Sequence, residues 1–352
     1  MRDLEVKLLD IAINLYNHYE SLTEVKNYYG QLAIYGLCRT AEVLGDAYLL
    51  ERCRRILRPF LRGEVAQSIN FQLYRIGGVP SAYMLMRGHL PEAREAVVYE
   101  VEKLIHEAPR AGNGIFCHPR YPGEERIWID VCLAVTPFLL FAGLAEKRDD
   151  YIDEAVAQTV KMYDLLLDRE CGLLHQCYNF AGPGLLSEDH WGRGNGWGLL
   201  GLTELVQYLP PDSPHRAGVE KRFAALVAAL LRHQSPSGMW CQEVPDPTSY
   251  EESSATGLIA YGLGVGLRLG VLPAMVRQNF RRAMRGLAGC IGEDGSIQKV
   301  CIGCLYPGDL AAYKAREKRT DDPHGFGPAM LALTEAVRQG WYETADILEE
   351  GP

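Results

Sequence analysis

The sequence has no apolar run long enough to cross a bilayer. Its longest uncharged stretches, Val131–Ala145 and Ser253–Leu267, fall short of the ~20 residues that a membrane-spanning helix needs. Positive charge is not in excess either. The 36 Lys and Arg against 45 Asp and Glu leave a net charge of −9, which argues against nucleic acid as the main partner, because phosphate binding needs a basic face. A small anionic ligand stays open, captured by one or two local arginines. Met1-Arg2-Asp3-Leu4-Glu5-Val6-Lys7 alternates charged and apolar residues without an apolar core, so it is no signal peptide, and a cytoplasmic location is expected. Ten cysteines in 352 residues do not make a disulfide scaffold, and those among apolar neighbours (Cys38, Cys132, Cys290) read as small hydrophobes. Cys301-Ile302-Gly303-Cys304 has no second CxxC or His pair at zinc-finger spacing. There is no phosphate-cradling glycine loop after a strand, no G-x-S-x-G and no H-E-x-x-H. Redox cofactor and serine hydrolase chemistry are therefore disfavoured, and no metal or cofactor is expected.

Long alternating runs are missing too, which excludes a large sheet. The sequence instead has amphipathic patterns of helical period over about 4–20, 28–45, 47–60, 69–87, 92–107, 126–145, 150–167, 191–208, 215–233, 252–268, 273–288, 325–339 and 341–349. Four segments resemble one another: Gly114-Ile115-Phe116-Cys117-His118, Gly172-Leu173-Leu174-His175-Gln176, Gly238-Met239-Trp240-Cys241-Gln242 and Gly295-Ser296-Ile297-Gln298. Their glycines are 58, 66 and 57 residues apart. Each segment follows one helix and precedes a glycine-rich, less charged one. A repeat of about 60 residues with two helices fills the chain six times. Stacked pairs give either an open solenoid or a closed ring, and a solenoid needs polar capping repeats that are not seen. We expect an all-α fold, one (α/α)6 toroid of six helical hairpins spanning 1–352 as a single catalytic domain.

In such a ring every inner helix starts at the same rim. Inner starts near Tyr28, Asn70, Trp128, Trp191, Glu252 and Gly325 then converge on one bowl. That brings together Tyr28, Tyr29, Asn70, Trp128, Asp130, Trp191, Arg193, Trp197 and the loop histidines His118 and His175. The densest stretch is His190-Trp191-Gly192-Arg193-Gly194-Asn195-Gly196-Trp197. Glycine costs roughly 1 kcal/mol against alanine inside a helix. The three glycines therefore serve either close backbone packing or a ligand resting on bare backbone. The two indoles and the guanidinium favour the ligand.

Asp130 sits in Ile127-Trp128-Ile129-Asp130-Val131 as one acid in an apolar helix start, either a cap or a proton donor. Burial raises its pKa, whereas a helix N-terminus lowers it. Pro137 implies a kink or restart in the same run. Trp128, Trp191 and Trp197 are three of five tryptophans, and form either core or a wall for sugar rings. Arg193 forks onto a ligand carboxylate or pairs with Asp189 or Glu188. His118 and His175 occupy the same place in successive repeats, holding loops or touching a ligand.

Several motifs together resemble the unsaturated rhamnogalacturonyl hydrolases, glycoside hydrolase family 105. They are Trp128-Ile129-Asp130 with Thr136-Pro137-Phe138-Leu139, the 190–197 stretch, Tyr250-Glu251-Glu252-Ser253-Ser254-Ala255, and Asp321-Asp322-Pro323-His324-Gly325-Phe326-Gly327-Pro328. The likeness runs in order over about 25–340 and implies the same toroid. It also implies hydration of a 4,5-unsaturated uronic acid: an acid at Asp130 protonates C4, water adds at C5, and the hemiketal opens to release the neighbouring sugar. One acid/base group then suffices, where other glycosidases need two carboxylates. By motif position Arg193 meets the uronate carboxylate and Trp128, Trp191 and Trp197 wall the ring. Tyr28, Tyr29, Asn70, His118 and His175 line the rest. Relatives often carry His-Lys where this chain has His118-Pro119-Arg120, and an acid where it has Asn27; both changes bear on substrate contacts. The expected partner is a small anionic oligosaccharide such as the rhamnogalacturonan disaccharide from pectin. Glycosaminoglycan fragments, sugar 2-epimerisation through paired histidines, and non-catalytic sugar binding are the alternatives.

Overall fold

A computed structural model describes residues 7–23, 27–65, 71–121, 123–304 and 309–348. The chain alternates between outer and inner helices six times. Outer α1 (Leu8–Leu22) leads to inner α2 (Tyr28–Leu44), and α3 (Ala47–Leu61) leads to α4 (Gly78–Met86). Outer α5 (Arg94–Glu107) precedes the short α6 (Val131–Ala134) and α7 (Thr136–Glu146). Then α8 (Asp149–Leu166) leads to α9 (Gly192–Tyr208), and α10 (Arg216–Leu231) to α11 (Ser253–Arg268). Outer α12 (Arg277–Ala288) is followed by a short α13 (Leu310–Lys314), the last inner helix α14 (Phe326–Arg338) and α15 (Thr344–Leu348). Each inner helix packs on two others: α2 on α4, α4 on α7, α7 on α9, α9 on α11, α11 on α14, and α14 back on α2. The ring is closed, as the six-hairpin expectation requires.

Small residues let the inner helices approach. A Cβ on Gly257 would lie 2.8 Å from the backbone of Pro328, and one on Gly327 would lie 2.7 Å from Leu32. The end of the ring remote from the inner helix starts is plugged by Arg39, buried among the rings of Tyr35, Tyr83, Tyr208 and Tyr261 at 5.7–5.9 Å. Its guanidinium donates to the Tyr35 and Tyr261 hydroxyls at 2.9 Å and lies 3.9 Å from Glu204. Charge pairing and hydrogen bonds together offset the cost of burying that cation.

Two expected helices break up. Over 69–87, a 3₁₀ turn at Gln72–Ile76 is followed by Gly77 and by Gly78, the first residue of α4, both at positive φ (83° and 53°). Two successive left-handed residues break the right-handed helix there, and glycine adopts them without strain. Asn70 lies outside the described residues. Over 126–145, Ile127–Trp128 is a strand, and the helix restarts at Thr136 with Pro137 in its first turn. The sheets are three two-stranded antiparallel pairs: β1 (Ile127–Trp128) with β2 (Cys177–Tyr178), β3 (Trp240–Cys241) with β4 (Glu251–Glu252), and β5 (Val300–Cys301) with β6 (Lys318–Arg319).

The four repeat glycines share one conformation, φ 85°, 78°, 93° and 82° at Gly114, Gly172, Gly238 and Gly295. Three residues on, the backbone N–H returns to the end of the preceding helix: Cys117 to Pro109 (2.8 Å), His175 to Leu166 (2.9 Å), Gln298 to Cys290 (2.8 Å). Four residues on, the carbonyl accepts from the inner helix start of the previous repeat. These bonds are Ile129 N–H to Gln176 (2.8 Å), Gly192 N–H to Gln242 (2.7 Å) and Ser253 N–H to Lys299 (3.0 Å). The turns at Gly172, Gly238 and Gly295 therefore stitch their repeats to the rim of the previous one.

Candidate active site

The inner helix starts gather Tyr28, Asp130 and Arg193, and add residues that sequence reasoning missed: Tyr74, Gln176, Asp322 and His324. Asp130 precedes α6 but makes no capping hydrogen bond with its side chain, so the capping reading fails. Its carboxyl is half-buried, and Oδ2 has no hydrogen-bond partner among the described residues. Burial pushes its pKa up to about 6, against the charge of Arg193 and a hydrogen bond with Gln176. Desolvation outweighs the helix start in the competition left open by sequence. An acid with one free oxygen and a pKa raised to about 6 is suited to general acid work.

Gln176 is buried and positioned from three sides. Its N–H donates to Asp189 Oδ1 at 3.2 Å, its carbonyl accepts from Ile129, and its side-chain oxygen accepts from the Tyr313 hydroxyl. Asp189 also accepts from Trp191 N–H at 2.9 Å, tying Gln176 to the start of α9. The stitching pattern aligns the repeats one position away from the expectation that set His175 beside His118. His175 is the backbone counterpart of Cys117, not of His118, and Gln176 is the residue four after its glycine. Counting from Gly114 and Gly172 would have found it. The His175 ring lies against His190, centroids 4.8 Å apart.

The Tyr28 hydroxyl is 2.5 Å from His324 Nε2, and His324 Nδ1 is 2.5 Å from Asp322 Oδ1. Burial, reinforced by Arg193, lowers the His324 pKa to about 4. The imidazole is therefore neutral, with Nδ1–H donating to the carboxylate and Nε2 accepting from Tyr28. Burial raises the Tyr28 pKa, and the nearby Asp130 charge raises it further, keeping the phenol protonated. Burial likewise raises that of Tyr74, with Tyr28 and Asp130 as its other influences. Tyr29 packs edge-on against Tyr28 and His324 (5.2 and 5.1 Å), and its hydroxyl accepts from Asn27 at 2.6 Å. Asp322 and His324 stood in a motif already singled out by resemblance, but their pairing with Tyr28 crosses the ring closure and is invisible to local pattern.

The 190–197 stretch differs from expectation. Arg193 is 1% exposed. Its Nη1 donates to the Cys301 carbonyl (2.6 Å) and Ser254 Oγ (3.1 Å), and its Nη2 to the Ile302 carbonyl (2.9 Å). The nearest carboxylate is Glu252 at 3.9 Å, not Asp189 or Glu188. The fork is spent on holding β5 to α9, and what reaches the site is its positive field. Trp191 and Trp197 are 2% and 1% exposed, against 8% for Trp128, whose ring lies tilted against His118, centroids 4.1 Å apart. His118 is buried, accepts from Arg120 N–H at 3.2 Å, and has its pKa lowered to about 4 by burial first and then by Arg120 and Arg126. The glycines serve packing. A Cβ on Gly192 would lie 2.7 Å from the Cys241 carbonyl, and one on Gly196 2.7 Å from Leu258. Cys301 and Cys304 are free thiols and belong to no metal-sized cluster among the described residues.

A closed six-hairpin ring with a buried acid at its rim defines the molecule as a toroidal glycoside hydrolase. The pattern of Glycosyl Hydrolase Family 88 matches residues 9–339, and the chain belongs to that family. It is 26% identical over 248 residues to the unsaturated rhamnogalacturonyl hydrolase YesR of Bacillus subtilis, covering 69% of this chain and 70% of that protein. It is 29% identical over 181 residues to an unsaturated 3S-rhamnoglycuronyl hydrolase of Formosa agariphila, about 48% of each. A crystal structure described as a possible family 105 member from Klebsiella pneumoniae superposes with a TM-score of 0.83 at 23% identity, over 95% of this chain and 93% of that one. No helix among the described residues is long and apolar enough to cross a membrane.

Proposed function

We propose that the protein hydrolyses unsaturated uronyl disaccharides released by polysaccharide lyases, with the unsaturated rhamnogalacturonyl disaccharide of pectin as its preferred substrate. The observation that carries this reading is Asp130: one acid, pKa raised to about 6, with Oδ2 unengaged among the described residues. Protonation of the enol ether at C4 needs one such donor. The resulting cation at C5 takes water, the Asp130 carboxylate recovers the water's proton, and the hemiketal opens with loss of the neighbouring sugar. Charge appears at C5 beside the ring oxygen and the substrate carboxylate, so the reaction needs no second carboxylate on the protein. The Tyr28–His324–Asp322 chain, a neutral phenol and imidazole backed by a carboxylate, supplies an oriented hydroxyl near Asp130. Support for a rhamno-type substrate comes from the two relatives named above, whose names join an unsaturated uronyl unit to a rhamno- sugar.

The test is the ultraviolet absorbance of the conjugated double bond, followed over a panel of unsaturated disaccharides. The expected result is loss of absorbance, fastest with the rhamnogalacturonan disaccharide, and at least about 100-fold slower turnover in Asp130→Asn, the scale of one general acid. Faster turnover of glycosaminoglycan disaccharides would reassign the substrate. Near wild-type turnover by Asp130→Asn would remove the mechanism. Calorimetric binding of saturated disaccharides without turnover of any unsaturated one would leave a sugar-binding toroid.

A further inference from the structure

Behind the rim, on the far side of His190 from Glu243, three side chains of different chemistry converge. Asp168 follows α8, Cys171 lies in the turn before Gly172, and His190 precedes α9. His190 Nε2 is 2.9 Å from Asp168 Oδ2, Cys171 Sγ is 3.3 Å from that oxygen, and Sγ and Nε2 are 3.4 Å apart. Edges of that length surround a single ion bonded at about 2.0–2.3 Å, the range of zinc–oxygen, zinc–nitrogen and zinc–sulfur bonds. All three residues are half-buried, leaving a direction open to water as a fourth ligand.

A second, independent observation concerns the other ring nitrogen of His190. Nδ1 lies 3.7 Å from Oε1 of Glu243, and the same oxygen accepts the His190 backbone N–H at 2.6 Å. Glu243 is buried, and its Oε2 has no hydrogen-bond partner among the described residues. At 3.7 Å that oxygen is beyond hydrogen-bond distance of Nδ1, but it stands on the side of the ring where metal-bound imidazoles have their outer carboxylate. A buried carboxylate is costly unless a compensating charge lies near, and a divalent cation one imidazole away supplies it.

We propose that Asp168, Cys171 and His190 bind one zinc-class divalent cation, with Glu243 as the carboxylate that orients His190. The mixed sulfur, nitrogen and oxygen set selects zinc over magnesium or calcium, which take oxygen ligands. The ion stands outside the chemistry. It clamps the end of α8 to the start of α9, and through the adjacent Asp189 steadies the backbone of Gln176 and Trp191. It is independent of the substrate reading above.

The experiment uses the full chain stripped with a chelator and titrated with Zn²⁺ by calorimetry and with Co²⁺ by absorbance. One Zn²⁺ per chain is expected, with no Mg²⁺ uptake, and the Co²⁺ form should show a near-ultraviolet sulfur-to-cobalt charge-transfer band. Cys171→Ser should abolish that band and weaken Zn²⁺ by more than about 100-fold. Glu243→Gln should keep the band and weaken Zn²⁺ by about 10–100-fold, the range for outer-shell partners. Circular dichroism checks each variant's fold, and Asp168→Asn replaces Cys171→Ser if the latter does not fold. Absence of saturable one-to-one Zn²⁺ binding overturns the proposal. So does a cobalt band that survives Cys171→Ser, because it would belong to another of the ten cysteines.

Discussion

Tyr28 and His324 are 296 residues apart in sequence and share a 2.5 Å hydrogen bond across the closure of the ring. Asp322 holds the other face of the imidazole at 2.5 Å, so the three act as one chain that aims the Tyr28 hydroxyl. Tyr28→Phe is expected to lower kcat/KM about 10-fold, the worth of one well-placed hydrogen bond. His324→Asn should cost about the same. The double variant should lose little more than either single one, since both break the same chain. Multiplicative losses in that double-mutant cycle, read by the absorbance assay, would mean that the two residues act separately.

Asp130 sets the pH dependence. Its pKa in the folded protein is about 6 against an ordinary 3.8, so the reactive protonated form predominates below pH 6. The rate should fall about tenfold per unit above that point. The stability sign follows from the same shift. The folded chain holds this proton more tightly than the unfolded chain does, so the contribution is fully present below about pH 4 and is lost as pH rises through 6. Asp130→Asn should therefore be inactive yet no less stable than wild type at pH 8, by thermal melting. A variant clearly less stable at pH 8 would contradict the burial assigned to this carboxyl.

Gln176 tests the cause of that pKa. Its hydrogen bond stabilises the ionised carboxylate, so Gln176→Leu should move the basic limb of the rate profile to higher pH, while the maximal rate survives within about 10-fold. Gln176→Glu should move it further in the same direction by like-charge repulsion. A limb that stays put in both variants would show that Gln176 does not touch the reacting proton.

How much of this was legible depended on whether a residue's role is periodic. The ring was readable because Gly114, Gly172, Gly238 and Gly295 recur with helices between them, and spacing reports helix count directly. The helix restart at Pro137 was readable for a local steric reason. Asp130 stood out as the one acid in an apolar start. What escaped depends on which way a side chain points. His175 and Gln176 are adjacent, and aligning the repeats one position off sets His175, whose ring lies against His190, where Gln176 stands. Arg193 and the glycines around it combine two readings, ligand and packing, that share one composition. Only the carbonyls of Cys301 and Ile302, more than 100 residues away, separate them.

Those glycines provide the last test. Gly192 begins α9 with its α-carbon facing the Cys241 carbonyl and the Ala255 methyl, at 2.7 and 3.1 Å from where a Cβ would stand. The first obstacle is backbone within β3, which cannot swing aside as a side-chain tip can. Gly192→Ala must either push β3 away or unwind the first turn of α9. A loss of about 1–3 kcal/mol is expected, as for overpacking of a filled core, read as a lower urea midpoint with unchanged slope. If the glycine instead served a ligand resting on bare backbone, the same substitution would leave stability within about 0.5 kcal/mol and raise KM. The geometry commits to the first outcome: Gly192 is there so that α9 can reach its neighbours, and its effect on catalysis passes through the placement of Trp191 and Asp189 beside Gln176.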